Sequence, residues 1–263
     1  MSAKTLVFAN HKGGVAKTTL SVNVADALAR DGYSVLFVDL DPQGNATQLI
    51  YGFDDTPAVT VEKLLAGKES IAAAIVENTR IPGVSLIGST LKLARLERDL
   101  QTTPFSSTSL LLQKLHSVRD IFDVIILDTP PALSFLTANA LAAADAVFVP
   151  VESGSKLALV GTDDMLEFVS QAKAVNSKLL LGGAILTKHD GRKKLCKITH
   201  AVIGDYFETV LKNVLPASAD IGKSQAAGQT VLQYDRECNC AREIVEIARQ
   251  IASLAGLQQE VAA

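Results

Sequence analysis

Asn10-His11-Lys12-Gly13-Gly14-Val15-Ala16-Lys17-Thr18-Thr19 gathers glycines, two lysines and two hydroxyls into one short run. It follows the apolar stretch Leu6-Val7-Phe8-Ala9 and precedes an amphipathic stretch from Leu20 to Arg30. Strand, glycine loop and helix thus come in the order that a phosphate cradle requires. Loop N–H groups wrap an anion, and the helix N-terminus favours its charge. Lys17 supplies a point charge for the terminal phosphates, and the Thr18 hydroxyl is placed to ligate Mg²⁺. Two acidic stretches add to this set. In Asp39-Leu40-Asp41-Pro42-Gln43-Gly44-Asn45, period-two alternation puts Asp39 and Asp41 on one side, facing the loop if the two strands are adjacent. One carboxylate would bind a metal-associated water or the loop, and the other would orient an attacking water. Asp128 follows the apolar run Val124-Ile125-Ile126-Leu127, the pattern of a carboxylate that helps hold Mg²⁺. The chemistry indicated is transfer of a phosphoryl group to water.

The loop departs from the common G-x-x-x-x-G-K-[ST] pattern, because Ala16 precedes Lys17 and an early lysine, Lys12, opens the run. The variant K-G-G-V-x-K-T-T resembles the deviant Walker A loop of the ParA/MinD family. D-x-D-P-Q-G-N resembles that family's switch I, and Asp128-Thr129-Pro130-Pro131 its switch II. The resemblance implies a P-loop NTPase with ATP and Mg²⁺ as cofactors, and a homodimer that closes around ATP. It makes Lys12, Lys17 and Asp41 the catalytic residues, with Lys12 acting across the dimer interface in the manner of an arginine finger. Nucleotide would be held by Lys12, Gly13, Gly14, Val15, Ala16, Lys17, Thr18 and Thr19, and metal by Thr18, Asp41 and Asp128. The family places the adenine near the loops that here carry Thr187 and Pro216. Ala16 adds one methyl where the family usually has glycine.

From Lys188 to Lys197 five basic residues (Lys188, Arg192, Lys193, Lys194 and Lys197) face one acid, Asp190. Against a formal net charge of −3, this excess is local. Such a cluster contacts phosphates without reading bases, or else is simply a solvated helix face. ParA-type dimers bind DNA non-specifically through basic residues on late elements, so the resemblance favours DNA. The family's P-R-N-V-R-L-S-E-A-P segment is replaced by Pro216-Ala217-Ser218-Ala219-Asp220-Ile221-Gly222-Lys223, leaving Lys223 as the nearest cation.

Apolar β-branched runs alternate with helical periodicity along the chain, the signature of βαβ units and a doubly wound, mostly parallel α/β sheet. Strands are expected at Leu6–Ala9, Val35–Asp39, Val84–Ile87, Val124–Leu127, Ala146–Val151 and Leu179–Leu186, with a last short one near Thr209–Leu215. Helices are expected at Lys17–Arg30, Thr60–Leu65, Leu91–Leu100, Ser107–Val118, Thr137–Ala143, Val160–Ala174, Lys194–Tyr206 and Asn239–Ala255. Ligands of such sheets bind beyond the carboxyl ends of the strands, where the motifs above fall. At 263 residues and 48% hydrophobic, the chain is long enough for a large core. It reads as one ATPase domain over 1–257 with a short tail over 258–263.

No run of 18 apolar residues and no signal-peptide pattern is present. Three cysteines, Cys196, Cys238 and Cys240, do not make a disulfide framework, which suits a reducing cytosol. A MinD-like membrane switch would need a basic amphipathic C-terminal helix. Ile244, Ile247, Ala248, Ile251 and Leu254 instead form a lysine-free stripe that reads as core. An iron–sulfur carrier ATPase would need cluster-ligating cysteines, and these lie far along the chain from the phosphate loop. The reading that results is a cytoplasmic, nucleoid-associated ATPase that segregates or positions a cargo and is stimulated by an adaptor protein. The cargo would be a plasmid, a chromosome locus or a protein organelle such as a carboxysome.

Overall fold

The computed structural model describes residues 2–102, 108–154 and 161–257. Its six strands are β1 (Lys4–Phe8), β2 (Val35–Asp39), β3 (Val84–Ile87), β4 (Val124–Asp128), β5 (Ala146–Glu152) and β6 (Leu180–Thr187). They form one sheet of order β3-β2-β4-β1-β5-β6, parallel throughout. β2 and β3 keep the expected limits, and the rest shift by one or two residues. Parallel strands covered on both faces must be apolar along their whole length, which is why Val124-Ile125-Ile126-Leu127 marked β4 so plainly.

Alternation sends successive side chains to opposite faces. Val7, Leu36, Val38, Ile125, Leu127, Val147 and Val149 belong to one buried cluster, with α3 (Val61–Leu65), α6 (Leu110–Leu115), α7 (Phe135–Ala143) and α8 (Thr162–Ala172) packed on it. Leu6, Phe8, Val35, Phe37, Val124, Ile126 and Phe148 belong to the other. That face is covered by α1 (Lys17–Arg30), α11 (Val231–Tyr234) and α12 (Asn239–Ala255). The α12 stripe is buried against the sheet and α1 through Ile244, Ile247, Ala248 and Ile251. Leu254 does not belong to it: it is 44% exposed, and Ala255 closes the stripe instead. No helix among the described residues is long and apolar enough to cross a membrane.

The expected seventh strand is absent among the described residues. Thr209–Leu215 touches the edge of β6 through a single parallel bridge, Ala184 to Val210. The segment then swings away, because the Lys212 N–H donates to Gln250 on α12 and the Asn213 amide donates to Glu243. It returns at Leu215, whose N–H donates to the Leu186 carbonyl. Two ends reach the sheet and the middle reaches a helix, so no ladder forms.

The helix expected over Lys194–Tyr206 stops at Val202 (α9, Lys194–Val202) and tightens into a 3₁₀ turn over Ile203–Asp205. Four short helices had no periodic signal: α2 (Asn45–Ile50), α4 (Ile71–Ala74), α10 (Ala219–Ala226) and α11. The stretch expected as Leu91–Leu100 is α5, Lys92–Thr102. Ser107, Val160 and the tail over 258–263 lie outside the described residues.

Candidate phosphate-binding site

β1 is hydrogen-bonded to β4 on one edge and β5 on the other, so its carboxyl end emerges mid-sheet. The run from Asn10 to Thr19 leaves from there and is held by its neighbours. The Asn10 amide donates to the Pro150 carbonyl at 2.8 Å and its oxygen accepts the Lys12 N–H at 3.0 Å. The Thr187 hydroxyl, at the end of β6, donates to the Val15 carbonyl at 2.9 Å. Thr129, after β4, donates its hydroxyl to the Phe8 carbonyl at 2.9 Å. Gly14 and Ala16 both take left-handed backbone angles, φ 75° and φ 64°. Glycine does so freely, whereas alanine carries a methyl against the following carbonyl. Ala16 nonetheless caps α1 in this conformation, its carbonyl accepting from Leu20.

The loop opens into a cleft of about 1270 Å³, lined by Gly14, Ala16, Lys17, Thr18, Thr19 and Asp41 together with Lys188, Lys193, Lys194 and Pro216. Lys188, Lys193 and Lys194, expected as DNA contacts, thus stand on the same cleft as the loop residues expected to hold nucleotide. Lys17 is 6% exposed, its ammonium donating to the Lys12 carbonyl at 3.2 Å. Burial lowers its pKa, while Asp128 and Asp41 pull it back up. Asp41 is 8% exposed. Burial raises its pKa, against the Gln43 N–H and the Lys17 charge.

Asp128 lies behind the cleft rather than in it. It is fully buried, its two oxygens accepting the Thr18 hydroxyl at 2.7 Å and the Ser21 hydroxyl at 3.1 Å. Burial and the Asp39 charge push its pKa up to about 8, against Thr18, Lys17 and Ser21. From this position it is linked to the cleft through the Thr18 hydroxyl. Asp39 also differs from expectation, because it does not face the loop. Its oxygens accept the Asp41 N–H, the Thr47 N–H and the Thr47 hydroxyl. It therefore ties the end of β2 to the start of α2, and burial raises it to about 6.

Thr187 is fully buried under the loop, away from the cleft where an adenine would lie. Pro216 does line the cleft. Lys12 reaches sideways to Glu152, at 3.1 Å, and the same carboxylate meets Lys188 at 3.5 Å. Burial raises the Glu152 pKa, but the Lys12 hydrogen bond and the two lysine charges outweigh it and the net shift is downward. Glu152 was missed in the sequence, as was Gln225 on α10, whose amide donates to the Thr19 hydroxyl at 2.9 Å. Neither has a local signal: a glutamate at a strand end and a glutamine in a short helix are common.

The basic cluster is split. Lys188, Lys193 and Lys194 border the cleft, and Lys197 is exposed on α9. Arg192 is exposed and paired with Asp190 at 2.9 Å, and this bond holds the Asp190 carboxyl down to about 2. Lys223 pairs with Asp220 at 3.1 Å on α10.

The residues fit a magnesium–triphosphate group. Loop amides and Lys17 offer anion contacts, and Thr18 and Asp41 offer the hard oxygen donors that Mg²⁺ prefers, with Asp128 behind Thr18. Comparisons with known proteins agree. An AAA domain family model, AAA_31, matches residues 3–181. The chain is 34% identical over 256 residues to the chromosome-partitioning ATPase Soj of Treponema pallidum, covering 96% of this chain and 98% of that protein. It is 32% identical to the chromosome partitioning protein ParA of Caulobacter vibrioides, covering 95% and 94%. Among solved structures, cobyrinic acid a,c-diamide synthase of Mycobacterium smegmatis, with bound ADP and magnesium, superposes with a TM-score of 0.80. That pair is 32% identical over 94% of this chain and 93% of the other. A single-residue variant of Cyanothece McdA in complex with ATP shares the fold with a TM-score of 0.85, at 21% identity and 99% coverage of both chains.

Proposed function

This chain belongs to the ParA/Soj family of partitioning ATPases, and on that premise we propose that it is an ATP-dependent molecular switch that dimerises around ATP and binds DNA without sequence preference. It is an ATP hydrolase that uses Mg²⁺. The observation that carries the reading is the convergence of Lys17, Thr18 and Asp41 on one cleft, with Asp128 locked behind Thr18.

Phosphoryl transfer to water is mostly positioning and charge stabilisation. Loop amides and Lys17 would bind the terminal phosphates, the Thr18 hydroxyl oriented by Asp128 would hold the metal, and Asp41 would orient the attacking water. When bound, Mg²⁺ neutralises charge developing on the phosphate oxygens. Lys12 is the residue proposed to act across a dimer interface, and it must leave Glu152 to do so. Lys188, Arg192, Lys193, Lys194, Lys197 and Lys223 are the proposed DNA contacts. We read 1–257 as a single ATPase domain working in the cytoplasm on the nucleoid, with an adaptor protein that accelerates hydrolysis and a cargo that is positioned as a result. The buried stripe of α12 leaves no apolar face of that helix for a lipid surface, which disfavours the membrane alternative.

Steady-state ATP turnover and sedimentation test this directly. Asp41→Ala should abolish hydrolysis while ATP still drives dimer formation, and Lys12→Ala should impair turnover. Equal turnover in wild type and Lys12→Ala removes the role across the interface. Arg192→Glu with Lys193→Glu should abolish DNA retention and leave the dimer intact.

A further inference from the structure

Ser218, Ile221, Gly222 and Gln225 carry α10 along the wall of the cleft, and Asp220, in its first turn, lies beside the start of α12. At this junction Cys238, Cys240 and Asp220 bring their ligand atoms within 4.8 Å of one another. The two sulfurs are 3.2 Å apart. Cys240 is 1% exposed, while Cys238 and Asp220 are partly exposed, so the cluster has a buried floor and an open mouth. All three cysteines are free thiols.

We propose that Cys238, Cys240 and Asp220 form a site for a thiophilic divalent cation, Zn²⁺ foremost, that clamps α10 to α12 beside the nucleotide cleft. Two sulfurs and one carboxylate oxygen make a three-ligand set of the kind zinc accepts in tetrahedral geometry, with one position left for solvent or for a neighbouring hydroxyl. Ser218 provides such a hydroxyl, 3.1 Å from the Asp220 carboxylate. Cys238 is the N-cap of α12, its sulfur accepting the Ala241 N–H at 3.4 Å, so its position is fixed by the helix it starts. The Lys223 ammonium and the Ser218 hydroxyl already pair with the two Asp220 oxygens, so a cation would bind there in competition with them. Metal binding would displace the two thiol protons and cross-link helices whose only covalent link is the chain itself.

The test uses the full chain, reduced with a phosphine and freed of chelator, titrated with Co²⁺ and then Zn²⁺. Co²⁺ should give a near-ultraviolet sulfur-to-metal charge-transfer band and visible tetrahedral bands that saturate at one ion per chain. Co²⁺ binding should release about two protons per ion, and Zn²⁺ should then bleach both bands with no further proton release. Cys240→Ser and Cys238→Ser should each shrink the charge-transfer band and weaken binding at least tenfold. Serine also caps helices, so Cys238→Ser keeps the start of α12 folded. Cys196→Ser should change nothing. No charge-transfer band at saturating Co²⁺ overturns the proposal, as does a band that survives in both serine variants. The readout involves no nucleotide, so its outcome is independent of the ATPase reading.

Discussion

Asp128 offers the sharpest quantitative test, because its environment sets both the stability of the free protein and its readiness for a cation. The carboxyl is fully buried against the Thr18 and Ser21 hydroxyls, and its pKa rises to about 8. In the unfolded chain an aspartate ionises near ~4. Below that range both states hold the proton and pH has no leverage. Between about 4 and about 8 the unfolded chain has released its proton and the folded chain has not, so stability falls by about 1.4 kcal/mol per pH unit. Above about 8 both are ionised and the slope ends. Asp128→Asn keeps the shape and one acceptor, and its amide can donate to a hydroxyl, but it cannot titrate. Urea unfolding in EDTA from about pH 6 to about pH 7.5 should therefore show wild type losing about 2 kcal/mol more than the variant. Magnesium–nucleotide affinity should rise with pH toward about 8 in wild type, as Asp128 gives up its proton, and lose that dependence in Asp128→Asn. Parallel unfolding profiles would refute the buried, protonated carboxyl and with it the route from Asp128 through Thr18.

Three further substitutions probe the loop and its surroundings. Ala16→Gly removes a methyl from a left-handed backbone, φ 64°, and should stabilise the chain by up to about 1 kcal/mol once glycine's extra chain entropy is counted; thermal unfolding at two scan rates checks it. Thr187→Val strands the Val15 carbonyl in a buried setting and should cost about 1–3 kcal/mol in urea unfolding, with weaker nucleotide binding by calorimetry. Glu152→Gln removes the carboxylate that holds Lys12 and Lys188, and should shift ATP-dependent self-association to lower protein concentration. Unaltered association in sedimentation velocity would show that Glu152 does not restrain Lys12.

Much of the framework was legible because parallel strands buried on both faces leave an unbroken apolar imprint, as at 35–38 and 124–127. The loop was legible because its glycines, lysines and hydroxyls are consecutive. What could not be read depended on distance along the chain. Thr19 meets Gln225 across 206 positions and Thr187 meets Val15 across 172, and no local pattern announces either. Asp39 and Asp41 share a strand parity, yet the turn at Asp41 carries the second carboxylate into the cleft and leaves the first with Thr47. Parity holds within a strand and has failed two residues past its end. The segment Thr209–Leu215 looked like a strand because its composition is that of one, but Gln250 and Glu243 claimed its middle.

Four strand ends grip the phosphate loop: Phe8 leads into it, Pro150 accepts from Asn10, Thr187 donates to Val15, and Thr129 secures the end of β1. The loop is thus braced before any ligand arrives, and the entropy of arranging it was spent during folding rather than at the moment of capture. On the function proposed above, a triphosphate would meet this braced stretch with its charged end, and discrimination between nucleotides would fall to the cleft's other wall, which Pro216 and α10 line.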